Sequence, residues 1–103
     1  MIRTDKLLAE AGFSTAAIQE YNQSMAEDYC DFHGIDIERI DYENDIDWES
    51  CDNVSLDRLG DYAYNYNGAR EMRGYLSKYC GECSLKEAEE MIKVFKKYAG
   101  NTD

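Results

Sequence analysis

An alternating acidic stretch at positions 35–49, with the sequence IDIERIDYENDIDWE, strongly limits the folds open to this chain. From position 41 onward every second residue is acidic, and most of the residues between them are large and apolar. Successive side chains of an extended backbone point to opposite faces, so the pattern predicts one face of carboxylates and one apolar face. We therefore expect a small acidic β element or extended loop, which packs on the rest of the protein through Ile40, Tyr42, Ile46 and Trp48.

The apolar positions change phase within this stretch, which leaves more than one backbone path open. Ile35 and Ile37 alternate in one phase and Ile40 follows the other, and a β-bulge near Arg39 would absorb the change. A turn at positions 43–45 would instead fold the stretch into a hairpin of two acidic strands. Helical spacing is also present in part, but aspartate is unfavourable inside helices, so a strand or an extended loop is preferred.

Negative charge is concentrated around the same stretch. Positions 27–57 contain twelve acidic residues and one basic residue, whereas the ten acids and ten bases elsewhere cancel. The net charge of −11 therefore lies in about one third of the 103 residues. Such a surface would repel nucleic acid and anionic membranes, so we expect a basic protein as partner and no direct contact with nucleic acid or a membrane.

Apolar residues outside the stretch recur at helical spacing and predict four or five short helices in a single domain, residues 1–103. The longest helix is expected to begin after Ser14 as N-cap and to end at Gly34, with Tyr21, Met25 and Phe32 on its buried stripe. Ser84 and Glu87 form a capping box at the start of the last helix. The predicted fold is thus mainly α with a small acidic β element, which makes the class α+β.

Between the acidic stretch and the last helix, the boundaries follow from turn and cap residues. Positions 51–53 are expected to be a loop, followed by a helix that is capped by Ser55. Asn67 and Gly68 are expected to end that helix, because both residues tolerate a left-handed backbone.

Composition and the first residues bear on cellular location. The chain is 44% apolar, which suits one modest core, and no apolar run approaches the ~18 residues of a membrane span. The first residues lack the apolar centre of a secretory signal, so we expect a cytoplasmic protein.

The acidic stretch allows three interpretations of function: a solvated face, a surface that imitates nucleic-acid phosphates, and a docking patch for another basic protein. A calcium loop is not among them, because Ile46 stands where one frame needs glycine and Leu56 where another needs glutamate. Phosphate mimicry is favoured, since segregated charge would steer a basic groove onto the stretch. The predicted partner-binding residues are Asp36, Glu38, Asp41, Glu43, Asp45, Asp47, Glu49 and Asp52.

No motif ties the chain to a family, but its charge layout is similar to that of small phage-encoded antagonists of restriction and CRISPR nucleases, many of which are DNA mimics. This resemblance implies a protein-binding inhibitor that occupies the DNA- or RNA-binding groove of such a nuclease in the host cytoplasm. The alternatives are a small zinc-stabilised adaptor or regulatory protein with an acidic docking face, and a toxin-neutralising partner.

The zinc hypothesis comes from two pairs of residues with ligand spacing. Cys30-x-x-His33 and Cys80-x-x-Cys83 would supply three cysteines and one histidine to a structural zinc site if the pairs met in space. Reduced, partly buried cysteines and a surface histidine are the favoured alternative. A redox CxxC is less well supported, because no βαβ unit surrounds Cys80 and Cys83.

No enzymatic site is predicted. The single histidine has no evident nucleophile as partner, and the sequence lacks a phosphate-binding glycine pattern. Acidic residues are plentiful, but a hydrolytic pair needs a cleft that so short a chain can hardly supply.

Overall fold

The computed structural model describes residues 3–100, which fold into five α-helices. These are α1 (Arg3–Glu10), α2 (Thr15–His33), α3 (Trp48–Ala63), α4 (Gly68–Cys80) and α5 (Leu85–Gly100). A short 3-10 helix, Ile37–Arg39, lies in the segment that joins α2 to α3. The prediction of a mainly helical protein is confirmed, whereas the β element is not found, because residues 3–100 contain no strand.

Two helix boundaries follow the cap residues that the sequence predicts. Ser14 caps α2 by accepting a hydrogen bond from the Ala17 N–H at 3.1 Å, and Gly34 ends this helix with a left-handed φ of 66°. At the start of α5, the Ser84 side chain accepts from the Glu87 N–H and the Glu87 carboxylate accepts from the Ser84 N–H. These bonds satisfy N–H groups that a helix leaves without partners at its first turn.

Helix α4 lies at the centre of the bundle and packs against α2, α3 and α5. Side chains from all five helices join one buried cluster, of which the large aliphatic members with no exposed surface are Leu8, Leu59, Met72, Leu76 and Met91. Burying one such side chain stabilises the fold by about 1.5–3 kcal/mol relative to leaving it in water. The cluster therefore holds α2 and α3, which flank the acidic stretch, in fixed positions.

A polar network crosses the same core. The Tyr21 hydroxyl, on a side chain that is 1% exposed, lies 2.8 Å from Ser55 Oγ and 2.5 Å from the Tyr75 hydroxyl. Burial raises the pKa of Tyr21 and of Tyr75, so both stay protonated and able to donate. An unpaired buried hydroxyl would cost about 1–3 kcal/mol, so the network favours this one arrangement of α2, α3 and α4.

Helix α3 begins earlier than predicted. Asp47 is its N-cap and accepts from the Ser50 N–H at 3.1 Å, so positions 51–53 lie inside the helix and the predicted loop there is wrong. Ser55 is buried within α3, where it contacts Tyr21 and is not a cap. An aspartate at N-cap with an acid in the first turn is itself a strong start signal, and here it outweighs the unfavourable propensity of Asp52.

The turn between α3 and α4 also differs from the prediction. Helix α3 ends at Ala63, and Gly68 is the first residue of α4, preceded by Asn67 as N-cap. Asn67 and Gly68 therefore start a helix and do not end one.

None of the helices formed by the described residues combines the length and the apolar character that crossing a membrane requires.

Candidate functional site

The segment between α2 and α3 presents many carboxylates to solvent. Seven of the eight predicted partner-binding residues are exposed: Asp36, Glu38, Asp41, Glu43, Asp45, Asp47 and Glu49. We call these seven residues the acidic surface. They lie on a 3-10 helix, a turn and the first turn of α3, and not on a strand.

Aspartate side chains build the first turns of this segment. Asp36 caps the 3-10 helix by accepting from the Glu38 N–H at 3.0 Å. Asp41 accepts from the Glu43 N–H at 3.1 Å and from the Asn44 side-chain amide at 2.7 Å. Side-chain acceptors of this kind replace the backbone ladder that a strand would need, which explains why alternating acids here do not produce a strand.

The same device continues up to α3. Asp45 accepts from the Asp41 N–H at 2.8 Å, and the Asp41 carbonyl accepts from the Asp45 N–H at 2.8 Å, so the two residues close one turn. The bonds from Asn44 and from the Glu43 N–H lower the pKa of Asp41, which keeps it ionised. A carboxylate has about four acceptor positions, so each aspartate can hold its turn and still present charge to a partner.

The apolar residues between the acids anchor the segment to the helices to different degrees. Ile46 is 4% exposed and belongs to the core cluster, while Ile40 and Trp48 are half-buried and Tyr42 is 38% exposed. The Trp48 indole N–H donates to the Tyr42 carbonyl at 3.1 Å, and the two rings lie 5.2 Å apart. The expected anchoring through this apolar set is therefore strongest at Ile46.

Replacing Trp48 with alanine is expected to loosen the acidic surface without removing a charge. The ring is only half-buried, so the free energy of unfolding should fall by about 1–3 kcal/mol, less than the ~3–5 kcal/mol of a fully buried tryptophan. Urea denaturation measures this change. Trp48→Phe is the control, because it keeps a ring against Tyr42 but cannot donate to its carbonyl; a Trp48→Ala protein as stable as the wild type would contradict the anchoring.

Asp52 does not lie on the acidic surface. Its carboxylate is 5% exposed and accepts from the Thr4 N–H at 2.9 Å, from the Thr4 hydroxyl and from Arg3 Nε at 3.0 Å. Burial acts to raise the pKa of Asp52, but the bonds from Thr4 and Arg3 outweigh it and lower the pKa. Asp52 therefore attaches α1 to α3. Its prediction as a partner-binding residue is corrected, because a buried carboxylate is not accessible to a partner.

A groove of about 460 Å³ runs between the second half of α2 and positions 50–58 of α3. Met25 and Cys51 are buried in it, whereas Phe32 lines it at 85% exposure. Phe32 was expected on the buried stripe of α2, and this prediction is wrong because the open groove, and no helix, faces its ring. The groove also holds Asp28 and Asp31, which extend the acidic surface onto α2.

An ion pair at the inner end of this groove was not predicted. Arg58 Nη1 lies 3.9 Å from the Asp28 carboxylate and donates to the Tyr79 hydroxyl at 3.2 Å, and that hydroxyl donates to Asp28. Burial and the bond to Asp28 raise the pKa of Tyr79 to about 12. The three groups come from α2, α3 and α4, so no spacing pattern in the sequence predicts that they contact one another.

The structure does not bring the two predicted zinc pairs together. Gly81, beside Cys80, lies against Glu20 near the start of α2, whereas Cys30 and His33 are at the end of that helix. Ten residues of α-helix rise about 15 Å, which is far more than the span of a zinc site. Among residues 3–100, no three groups of the His, Cys, Asp and Glu types are arranged to hold a metal ion.

The cysteine environments also disfavour thiolate chemistry in this conformation. Burial and the neighbouring Cys83 raise the pKa of Cys80 to about 12, and burial raises the pKa of Cys83 to about 11. Thiol–disulfide exchange proceeds through the thiolate, which is scarce at neutral pH when the pKa is this high.

No protein-family model, curated protein or solved structure matches this chain. What the acidic surface and the groove can bind is therefore inferred from their own charge and geometry.

Proposed function

We propose that this protein is a binding inhibitor whose acidic surface occupies the DNA- or RNA-binding groove of a basic protein such as a CRISPR or restriction nuclease. The observation that carries the proposal is the set of seven exposed carboxylates within positions 36–49, in a protein of net charge −11. The proposed action is non-enzymatic, takes place in the cytoplasm and needs no cofactor.

The number of carboxylates on this short segment supports imitation of nucleic-acid phosphates over a surface that serves only solubility. A DNA duplex carries one negative charge per ~1.7 Å of its axis, so an imitation must place many carboxylates on a short surface. The acidic surface places seven exposed carboxylates within positions 36–49, and Glu27, Asp28, Asp31 and Asp57 add exposed carboxylates on the flanking helices. A basic groove with spaced phosphate-binding residues would meet charge along its length.

Order in the segment also supports a binding role. The side chains of Asp36, Asp41, Asp45 and Asp47 are held by hydrogen bonds to nearby backbone N–H groups. A surface that is already ordered loses less conformational entropy on association than a mobile acidic tail does. It also generates a fixed potential, which speeds the encounter with a basic partner.

Removing five charges from the acidic surface should weaken partner binding at least tenfold at about 0.15 M salt, mainly through slower association. The variant is Asp41→Asn, Glu43→Gln, Asp45→Asn, Asp47→Asn and Glu49→Gln. Asparagine caps turns and helices about as well as aspartate, so helicity by circular dichroism should not change. The assay is capture of bound proteins from a bacterial lysate, elution with duplex DNA or RNA, and inhibition of the eluted nuclease.

A matched control removes five exposed acids that lie elsewhere: Glu10, Glu20, Asp61, Glu82 and Glu89. Both variants have the same net charge, so a difference between them reports position and not total charge. Equal capture by the two variants, or captured proteins that nucleic acid does not displace, would refute phosphate mimicry.

A further inference from the structure

The groove between α2 and α3 has an aromatic wall at the C-terminal end of α2. The Phe32 and His33 rings lie 5.1 Å apart, and the His33 and Tyr29 rings lie 4.4 Å apart. With Phe32 at 85% exposure, a large apolar face is open to any partner that reaches the acidic surface. The segment that carries this surface begins directly after Gly34, the residue that ends α2.

The electrostatics of this groove favour a cation. Asp28 and Asp31 line it, and Asp31 has no hydrogen-bonded or ionic side-chain partner among residues 3–100. The last carbonyls of α2 point to the same end, where the helix dipole adds partial negative charge. Aromatic faces also attract cations, and the exposed Phe32 ring lines the same groove as these carboxylates.

Arg58 shows that a guanidinium fits beside a carboxylate of this groove. Its guanidinium occupies the inner end of the groove, between the Asp28 carboxylate and the Tyr79 hydroxyl. The outer end has a carboxylate at Asp31 and an exposed ring at Phe32, and no cation from the described part of the chain pairs with that carboxylate.

We propose that the outer end of the α2–α3 groove receives an arginine side chain of the basic protein that the acidic surface binds. The inference rests on the proposed function and names the residue type that the partner inserts. Arginine is favoured over lysine because its planar guanidinium can stack on the Phe32 ring and donate to Asp31 at the same time, whereas an ammonium is a more strongly hydrated point charge. Arginines that normally hold phosphates would then be bound by this protein.

The test compares two defined probes, nona-arginine and nona-lysine, by isothermal titration calorimetry against the full chain. Both peptides should bind through the acidic surface, and nona-arginine should bind about fivefold more tightly because of the ring. Phe32→Ala should bring nona-arginine to the affinity of nona-lysine and leave nona-lysine unchanged. Amide NMR shifts on adding nona-arginine should include positions 29–34 and Val54.

Tyr66→Ala is the matched control, since Tyr66 is 98% exposed in the α3–α4 turn and outside the groove. It should keep the preference for arginine. Equal affinity of the two peptides for the wild type, or a preference that survives Phe32→Ala, would overturn the inference. A dimer in sedimentation that Phe32→Ala abolishes would also overturn it, because a second copy of the chain would then occupy the groove.

The variant in which five carboxylates of the acidic surface are replaced by amides separates this inference from the proposed function. It should weaken both peptides to a similar extent and preserve their ratio. If it weakens neither peptide while Phe32→Ala still removes the preference for arginine, the acidic surface fails as the binding surface and the groove stands alone.

Discussion

Asp52→Ala is expected to lower the free energy of unfolding by about 3–5 kcal/mol, a large part of the 5–15 kcal/mol typical of small domains. The cost arises because the Thr4 N–H and hydroxyl, on a residue that is 1% exposed, would lose their acceptor. Leaving each buried donor unpaired costs about 1–3 kcal/mol. The ion pair with Arg3 adds little, since that side chain is 49% exposed.

Asp52→Asn is the matched variant, because it keeps the size of the side chain and one acceptor oxygen. It should cost about 1–2 kcal/mol, and urea denaturation of both variants measures the difference. If Asp52→Ala is no less stable than Asp52→Asn, the carboxylate does not hold α1 on α3.

The stabilisation from Asp52 should also depend on pH with a definite sign. Its pKa in the folded protein lies below the ordinary value of 3.8, so the unfolded chain takes up the proton first as the pH falls. Stability from this carboxylate is therefore complete well above pH 4 and is lost as the pH falls through its folded pKa. The difference in unfolding free energy between the wild type and Asp52→Asn should shrink between about pH 5 and pH 2. A difference that grows toward low pH would contradict the assignment.

Helix ends with a complete local signal could be predicted from the sequence. Ser14, Gly34 and the pair Ser84 and Glu87 each act within three or four residues of their own position, and the structure uses them as expected. Helix spacing also correctly predicted the burial of Tyr21 and Met25. Such features depend only on residues that are close together in the sequence, so they can be predicted from the sequence alone.

The acidic segment shows where local pattern is insufficient. Alternating acids are compatible with a strand, but they are equally compatible with a series of turns that aspartate side chains close. Which of the two forms depends on whether a neighbouring strand is available to pair. None is present among the described residues, so Asp41 and Asp45 close a turn with their own backbone. Exposure of the seven carboxylates was nevertheless predictable, because a charge without a buried partner must face water in either structure.

Two side chains were misplaced because the deciding contacts are remote in sequence. Asp52 is buried only because Arg3 and Thr4, 49 and 48 residues away, supply its donors. Phe32 continues the stripe of Tyr21 and Met25 by spacing, yet it faces the groove that α3 leaves open. Spacing along one helix cannot reveal whether another helix covers its last turn; the only local cue was the nearby stop at Gly34.

Two glycines of α4 are expected to respond in opposite directions to the same substitution. A Cβ at Gly68 would lie 2.2 Å from the Tyr62 carbonyl oxygen, whereas a Cβ at Gly74 would meet no atom within 4 Å. Neither glycine has a positive φ, so steric room and not backbone strain decides the outcome. Because the obstructing atom at Gly68 belongs to the backbone of α3, relief requires the α3–α4 turn to move.

Gly68→Ala should therefore lower the free energy of unfolding by about 3 kcal/mol, at the upper end of the cost of overpacking. Gly74→Ala should raise it by about 0.5–1 kcal/mol, because alanine restricts the unfolded chain and favours the helix. For a domain of this size, 1 kcal/mol corresponds to a shift of about 4–8 °C in Tm. Thermal unfolding of the two variants should thus move Tm in opposite directions, and a Gly68→Ala protein with the wild-type Tm would mean that Gly68 does not approach Tyr62 this closely.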